Sequence, residues 1–171
     1  MSSLVDRLAS YAEYHRDKRN IATHFIGIPM IIVGTQSALA RVGIGPVNAA
    51  VGATALASRY YRAIDPGFGT VLAGMLGASC AVGSAIAALP LPMWAGTTFG
   101  LFVGGWALQF LGHYFEGKKP AFFDDLRGLL DGPLFLVAEA AFALGLQSEL
   151  REEIERRAGP VRWGQLVPSA A

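Results

Sequence analysis

Cysteine occurs once in the 171 residues, at Cys80. One thiol excludes an intrachain disulfide framework and any cysteine-clustered metal site, and its place in an apolar run reads as a small packed hydrophobe. Charge is scarce as well: 16% of residues are Asp, Glu, Lys or Arg, against about 25% in an ordinary soluble domain. An apolar content of 53% excludes a disordered chain. A net charge of +1 leaves no overall nucleic-acid footprint. Strand patterns are almost missing, so no glycine-rich phosphate loop follows a strand. No Gly-x-Ser-x-Gly elbow occurs, and no Cys-x-x-Cys-His that would attach haem. Histidine is limited to His15, His24 and His113.

What is present is apolar length. From Phe68 to Gly112 run 45 residues without a formal charge, broken near the middle by Pro90 and Pro92. A bilayer crossing takes about 20 apolar residues, so two spans joined by Leu89-Pro-Leu-Pro-Met93 fit the stretch. Neither has the polar face that a soluble helix needs. The expectation is an all-α polytopic membrane helix bundle with four to five apolar segments, at about 21–39, 44–61, 68–89, 94–115 and 134–146. The last carries Glu139 and reads as a short span, a re-entrant piece or an interfacial helix. Together these make one membrane domain over 1–150, followed by a polar tail, 151–171, whose charged helix ends near Gly159-Pro160 and reads as solvated. In the spans, Gln36 and Asn48 are among the few polar side chains. Gly96, Gly100 and Gly104, and Ala73, Gly77 and Ala81, form small-residue stripes expected to let helices approach closely.

Residues 1–20 are charged throughout and lack the apolar centre of a signal peptide. They read as an amphipathic helix: Ser3 and Asp6 have capping-box spacing, and Leu4, Leu8, Tyr11 and His15 fall on one face. With the N-terminus inside and four crossings, the inner regions hold Arg7, Arg16, Lys18, Arg19, Arg59, Arg62, Lys118, Lys119 and Arg127, and the outer loops only Arg41. That asymmetry obeys the positive-inside rule.

The same topology puts all three histidines at one membrane face. Imidazole is the commonest metal ligand and suits iron, zinc and copper, and ionisable groups in membrane segments are functional candidates. His15 and His24, nine residues apart, are half a turn out of phase on one straight helix. A break must separate them, with Asn20 as N-cap of a span beginning at Ile21. Gln109, His113 and Glu116 form one polar stripe, in which Glu116 either shares a metal, orients an imidazole or pairs with Lys118 or Lys119. Asp124 and Asp125 read as caps of the helix after Pro120. A small membrane transporter or scaffold, a zinc-dependent membrane hydrolase and a bis-histidine haem protein are the alternatives on these residues.

Two blocks carry a resemblance. Tyr14-His15, Lys18, Asn20, His24 and Pro29 read Y-H-x-x-K-x-N-x-x-x-H-x-x-x-x-P; Gln109 to Ala121 reads Q-F-x-G-H-x-F-E-x-x-K-P-A. Both resemble the 2-hydroxy fatty acid dioxygenase family, which includes a fungal endoplasmic-reticulum enzyme of phytosphingosine breakdown. In this chain the second block is one residue shorter between its histidine and glutamate than the family's usual pattern. The resemblance implies an Fe(II)-dependent membrane enzyme that shortens 2-hydroxy fatty acids by one carbon with O2, an α-oxidation. It maps the iron ligands onto His15, His24 and His113. Glu116 and Asn20 then stand as catalytic candidates, and Lys18, Gln109, Lys118 and Lys119 as substrate-binding ones. The implied partners are a 2-hydroxy fatty acid, O2 and membrane lipid, with no nucleic acid. The implied location is a bacterial cytoplasmic membrane or an endoplasmic reticulum, with the metal site near the cytoplasmic face.

Overall fold

A computed structural model describes residues 3–44 and 47–164. Residues 45 and 46 of the second apolar segment and 165–171 of the tail lie outside the described residues. The order of elements is α1 (Leu4–Ala12), α2 (Lys18–Ala40), β1 (Gly43–Ile44), β2 (Val47–Asn48), α3 (Ala49–Ile64), α4 (Pro66–Ala87), α5 (Leu91–Glu116), a 3-10 turn (Ala121–Phe123), α6 (Gly128–Ala143) and α7 (Ser148–Ala158). Apart from the two-residue antiparallel pair β1–β2, all regular structure among the described residues is helical. The chain divides into two compact units, residues 1–25 with 108–171, and residues 26–107.

The first unit carries α1, the start of α2, the end of α5, α6 and α7. Helix α1 starts as its sequence dictates: the Ser3 side chain accepts from the Asp6 amide, and the Asp6 carboxylate accepts from the Ser3 amide. Leu8, Tyr11 and Ala12 on its inner face are buried, each large side chain contributing about 1.5–3 kcal/mol. Arg7 on the other flank pairs with Asp131 at 2.6 Å. Helix α6 begins six residues before the expected 134 and ends at Ala143. Its run Leu134–Ala138 is buried on every side, so the run is apolar because it forms the unit's core. Gly145 (φ 74°) and Gln147 (φ 58°) then turn the chain back in left-handed conformations, and α7 is bent 119° from α6. Helix α7 is not a purely solvated tail. Ile154 is 1% exposed, and Arg157 pairs with Asp6 at 3.0 Å.

The second unit holds the apolar helices. The expected segment at 44–61 does not start as a helix. Its first residues form β1 and β2, and Asn48, placed inside the segment by composition alone, is the N-cap of α3, accepting from the Val51 amide at 3.2 Å. Asp65 caps α4 through the Phe68 amide at 2.8 Å, with Pro66 in the first turn, where its missing N–H costs nothing. Gln36 is also not a lone polar group in a span: its amide donates to Thr54 Oγ1 at 3.0 Å and to the Leu76 carbonyl at 3.3 Å. Ser37 and Thr98 share a hydroxyl hydrogen bond of 2.7 Å.

The small-residue stripes mark the close approaches only in part: a Cβ on Gly104 would lie 3.1 Å from the Met30 side chain of α2. Nothing lies within 4 Å of a Cβ built on Gly77, Gly96 or Gly100. Backbone is met more closely outside the stripes, at Gly69 against Arg62, Gly83 against Gln36 and Ser37, and Gly105 against the Gly27 carbonyl and Ile31. Spacing alone shows that small residues share a face, and not that the face meets another helix. Outward, Leu56, Val71, Met75, Val82, Phe99 and Val103 are exposed, a surface compatible with membrane association. Helices α2 and α4 are long and apolar enough to cross a bilayer, and α6 with α7 would add a third if that bent pair is one broken span.

Candidate metal centre

Three elements of the first unit converge. The non-helical link between α1 and α2 carries His15, the seventh residue of α2 is His24, and the last turn of α5 carries His113. All three are buried, at 0%, 1% and 5% exposure. One ring nitrogen from each lies within 4.8 Å of the others. The break required to bring His15 and His24 together exists, but Asn20 does not make it. Helix α2 begins at Lys18, and Asp17 supplies the cap, its carboxylate accepting from the Arg19 amide at 2.8 Å and its carbonyl from the Ile21 amide at 3.1 Å. The Arg19 guanidinium adds its own hydrogen bonds to Asp17 and holds that carboxyl below its ordinary range.

The protonation pattern of the imidazoles follows from their partners. His15 Nδ1 lies 2.8 Å from the Tyr11 carbonyl, and His24 Nδ1 lies 2.9 Å from the Asn20 carbonyl. A carbonyl only accepts, so both Nδ1 atoms donate. In a neutral ring Nε2 is then a bare lone pair. These two Nε2 atoms face each other at 3.1 Å, and with no cation between them that contact is repulsive. A proton is a poor cation here: burial, followed by the neighbouring His24, pushes the His15 pKa well below its ordinary value. A metal ion fits. Two nitrogens each about 2.1 Å from one ion and roughly 90–110° apart are about 3.0–3.4 Å from each other. Carbonyls that hold the distal nitrogens are the usual support of metal-binding histidines.

Aromatic packing fixes the first ring. Tyr11 stacks on His15 with centroids 4.0 Å apart and planes 8° from parallel, and Phe135 lies 5.5 Å away. Gly112, one residue before His113, leaves the space that α2 fills. A Cβ there would run into Thr23 Oγ1 and Asn20 Oδ1.

Glu116 and Asn20 lie beside the triad in supporting positions. Glu116 Oε2 accepts from the amides of Arg16 (2.9 Å) and Asp17 (2.7 Å) and from Asn20 Nδ2 (3.2 Å), and Oε1 accepts from Arg162 Nη2 (3.2 Å). None of its hydrogen bonds goes to a histidine, and none goes to Lys118 or Lys119. Asn20 Nδ2 also donates to the Tyr14 carbonyl at 3.0 Å. Both side chains therefore tie down the backbone that carries His15.

The four substrate-binding candidates separate. Lys118 Nζ donates to the Glu13 carbonyl, and Lys119 pairs with Asp124. Gln109 is 5% exposed, and its amide nitrogen has no partner among the described residues. Lys18 lies over the Trp163 ring at 5.2 Å and lines a cavity of about 510 Å³ walled by Ile21, Phe25, Phe142, Ile154 and Val161. The same cavity touches Arg16, which is 3% exposed and pairs with Glu139 at 3.4 Å. Asp124 accepts from Tyr14 and Lys119, and Asp125 accepts from the Arg127 amide.

Sequence reasoning missed Tyr11 as a ring partner, although it had placed Tyr11 and His15 on one helical face. It missed Arg16–Glu139, for which a lone acid in an apolar segment was the available signal. It missed Arg162, which no local pattern marks.

Residues 1–144 match the family described as Mpo1-like, 2-hydroxy-palmitic acid dioxygenase Mpo1-like. Over 155 residues the chain is 30% identical to 2-hydroxy-palmitic acid dioxygenase MPO1 of Saccharomyces cerevisiae, an alignment covering 89% of this chain and 87% of that protein. No solved structure matches.

Proposed function

The chain belongs to the Mpo1-like family, and from that premise we propose that it is a membrane-embedded non-haem Fe(II) dioxygenase that shortens 2-hydroxy fatty acids by one carbon. The observation that carries this reading is the pair of Nε2 lone pairs 3.1 Å apart, each held from behind by a carbonyl, with a third buried imidazole beside them. His15, His24 and His113 would hold the ion and leave its other positions open, the donor set of non-haem iron oxygenases being compatible with histidine. Bound iron would supply the redox centre for O2 and an anchor for the substrate's hydroxyl and carboxylate.

The chain's own residues divide the remaining work. The carbonyls of Tyr11 and Asn20 keep the protons on Nδ1, so the inward nitrogens stay bare at neutral pH. Tyr11 and Phe135 exclude water from one side of His15. Lys18, the lysine candidate that lines a cavity, is the cation we assign to the substrate carboxylate. The apolar wall Ile21, Phe25 and Phe142 takes the alkyl chain, in a volume within the usual range of ligand sites. The partnerless amide of Gln109 is the polar contact we assign to the hydroxyl. R–CH(OH)–COOH and O2 give R–COOH, CO2 and H2O, a balance that needs no further reductant.

Helices α3 and α5 complete four crossings in this reading, with α2 and α4. The excess of basic residues on the inner side supports a triad at the cytoplasmic face. The test is anaerobic loading of the detergent-purified protein with Fe(II), followed by oxygen uptake with 2-hydroxypalmitate. One equivalent of iron and formation of the C15 acid are expected. Stoichiometric zinc with no dependence on oxygen, or no metal binding after loading, would overturn the assignment.

A further inference from the structure

We infer that the C-terminal segment Gly159–Trp163 is a strap that sets the position of His15, with Arg162 as its positioning residue. The segment lies beyond residue 144, where the family match ends. It nevertheless pairs with the link that carries His15. The Arg162 amide donates to the Arg16 carbonyl at 2.8 Å, and the Lys18 amide donates to the Arg162 carbonyl at 2.9 Å, a strand-like bridge opposite Asp17.

Side chains close the same loop from the other direction. Arg162 Nη2 reaches Glu116 Oε1 at 3.2 Å, while Glu116 Oε2 holds the Arg16 and Asp17 amides. Arg16 Nη1 returns to the Gly159 carbonyl at 3.1 Å. The link between α1 and α2 has no regular structure from Glu13 to Arg16. The Glu13, Tyr14 and His15 amides bond back to α1, at the Ala9, Tyr11 and Ala12 carbonyls, while the backbone after His15, from Arg16 to Lys18, is held by Glu116 and by the strap. Helix α1 therefore holds His15 from its N-terminal side, and Glu116 with the strap holds the chain on its C-terminal side. Partners that hydrogen-bond a metal ligand directly are worth about 10–100-fold in affinity; Arg162 acts one step further out, through Glu116, so the low end of that range is the ceiling of its effect.

The affinity consequence rests on the reading that the triad holds a metal; the backbone consequence does not. The experiment uses the full chain in detergent with two readouts. The first is amide hydrogen exchange of the metal-free protein. Arg162→Ala is expected to speed exchange at Arg16, Asp17 and Lys18 at least tenfold while Leu72 and Leu76 in α4 keep the wild-type rate; a merely global loss of stability would move both. The second is anaerobic titration with Co(II), read by its d–d absorption. Arg162→Ala is expected to weaken binding about tenfold, and Arg162→Lys to recover part of the loss. The effect should be less than additive with Glu116→Gln, since Arg162 acts through that carboxylate. If Arg162→Ala does not fold, a chain stopped after Pro160 removes the bridge while keeping α7 and the Gly159 carbonyl, and the same changes are expected. Unchanged exchange at Arg16–Lys18 with Co(II) affinity within twofold of wild type would overturn the strap and leave the metal reading standing. Faster local exchange in a protein that binds no Co(II) even as wild type would support the strap and sink the metal reading.

Discussion

Replacing Glu116 separates an anchor from a metal ligand. Its carboxylate is fully buried and receives four donors, two of them backbone amides at 2.7 and 2.9 Å. Glu116→Ala strands both amides and takes one partner from the Asn20 amide group, which keeps the Tyr14 carbonyl, and from the part-exposed Arg162 guanidinium. Removing one partner of a buried, hydrogen-bonded charge costs about 3–5 kcal/mol. Glu116→Gln keeps the shape. One amide oxygen can still accept from the Arg16 and Asp17 amides, but its NH2 then faces Arg162, donor against donor. An unsatisfied buried donor costs about 1–3 kcal/mol. The expected order of stability is therefore wild type, then Gln, then Ala, measured as reversible unfolding in mixed detergent at pH 7.5. Metal binding gives the second half of the test. An anchor predicts that Glu116→Gln still takes up one equivalent of Co(II) with the wild-type absorption spectrum and a weaker affinity. Loss of stoichiometry or an altered ligand-field spectrum would show Glu116 to be a ligand. Glu116→Gln as stable as wild type, with Glu116→Ala costing less than about 1 kcal/mol, would refute the account of the carboxylate altogether.

Gly112→Ala drives a methyl group into Asn20 and Thr23 and comes 3.2 Å from His24 Nδ1; it should lower Co(II) affinity at least tenfold, whereas Gly100→Ala, in open space on the same helix, should leave affinity unchanged. In metal-free protein, His15 stays neutral in the folded state below the pH at which a free histidine protonates, because burial lowers its pKa. The unfolded chain then binds more protons, so stability is present above about pH 6.5 and falls as pH drops. Stability is therefore expected to be lower at pH 5.5 than at pH 7.5, read by denaturation at the two values. Removing the ion with a chelator should lower the melting temperature by leaving two lone pairs face to face, and reloading should restore it. The gain should grow with metal concentration, reaching about 4 kcal/mol at a thousandfold excess over Kd.

What the sequence made legible was chemistry that repeats along the chain or sits alone in it. Three histidines in an apolar background pointed to one face because topology ordered them, and the structure brings one ring nitrogen of each within 4.8 Å of the others. The phase argument that His15 and His24 need a break between them was sound, since it depends only on 3.6 residues per turn. The cap of α2 was misplaced by three residues because Asp17 and Asn20 are both good caps. The choice between them is tertiary: Asn20 is held inside the helix by Tyr14 and Glu116. Asn48 went the other way, from span interior to cap, because an apolar run does not show where a helix starts within it. The glycine stripe of α5 was legible only in part, Gly104 packing on Met30 while Gly96 and Gly100 meet nothing, for a related reason. Gly100 and Gly105 differ by five residues and look alike in composition, yet only Gly105 meets another backbone, and which face is met depends on the neighbouring helix. Arg162 was invisible because its role rests on a contact 46 residues away with Glu116 and on backbone pairing that any residue but proline can make. Local pattern therefore picked out the three histidines that cluster in the candidate centre, while the groups that hold them in place are joined across the chain and became legible only in three dimensions.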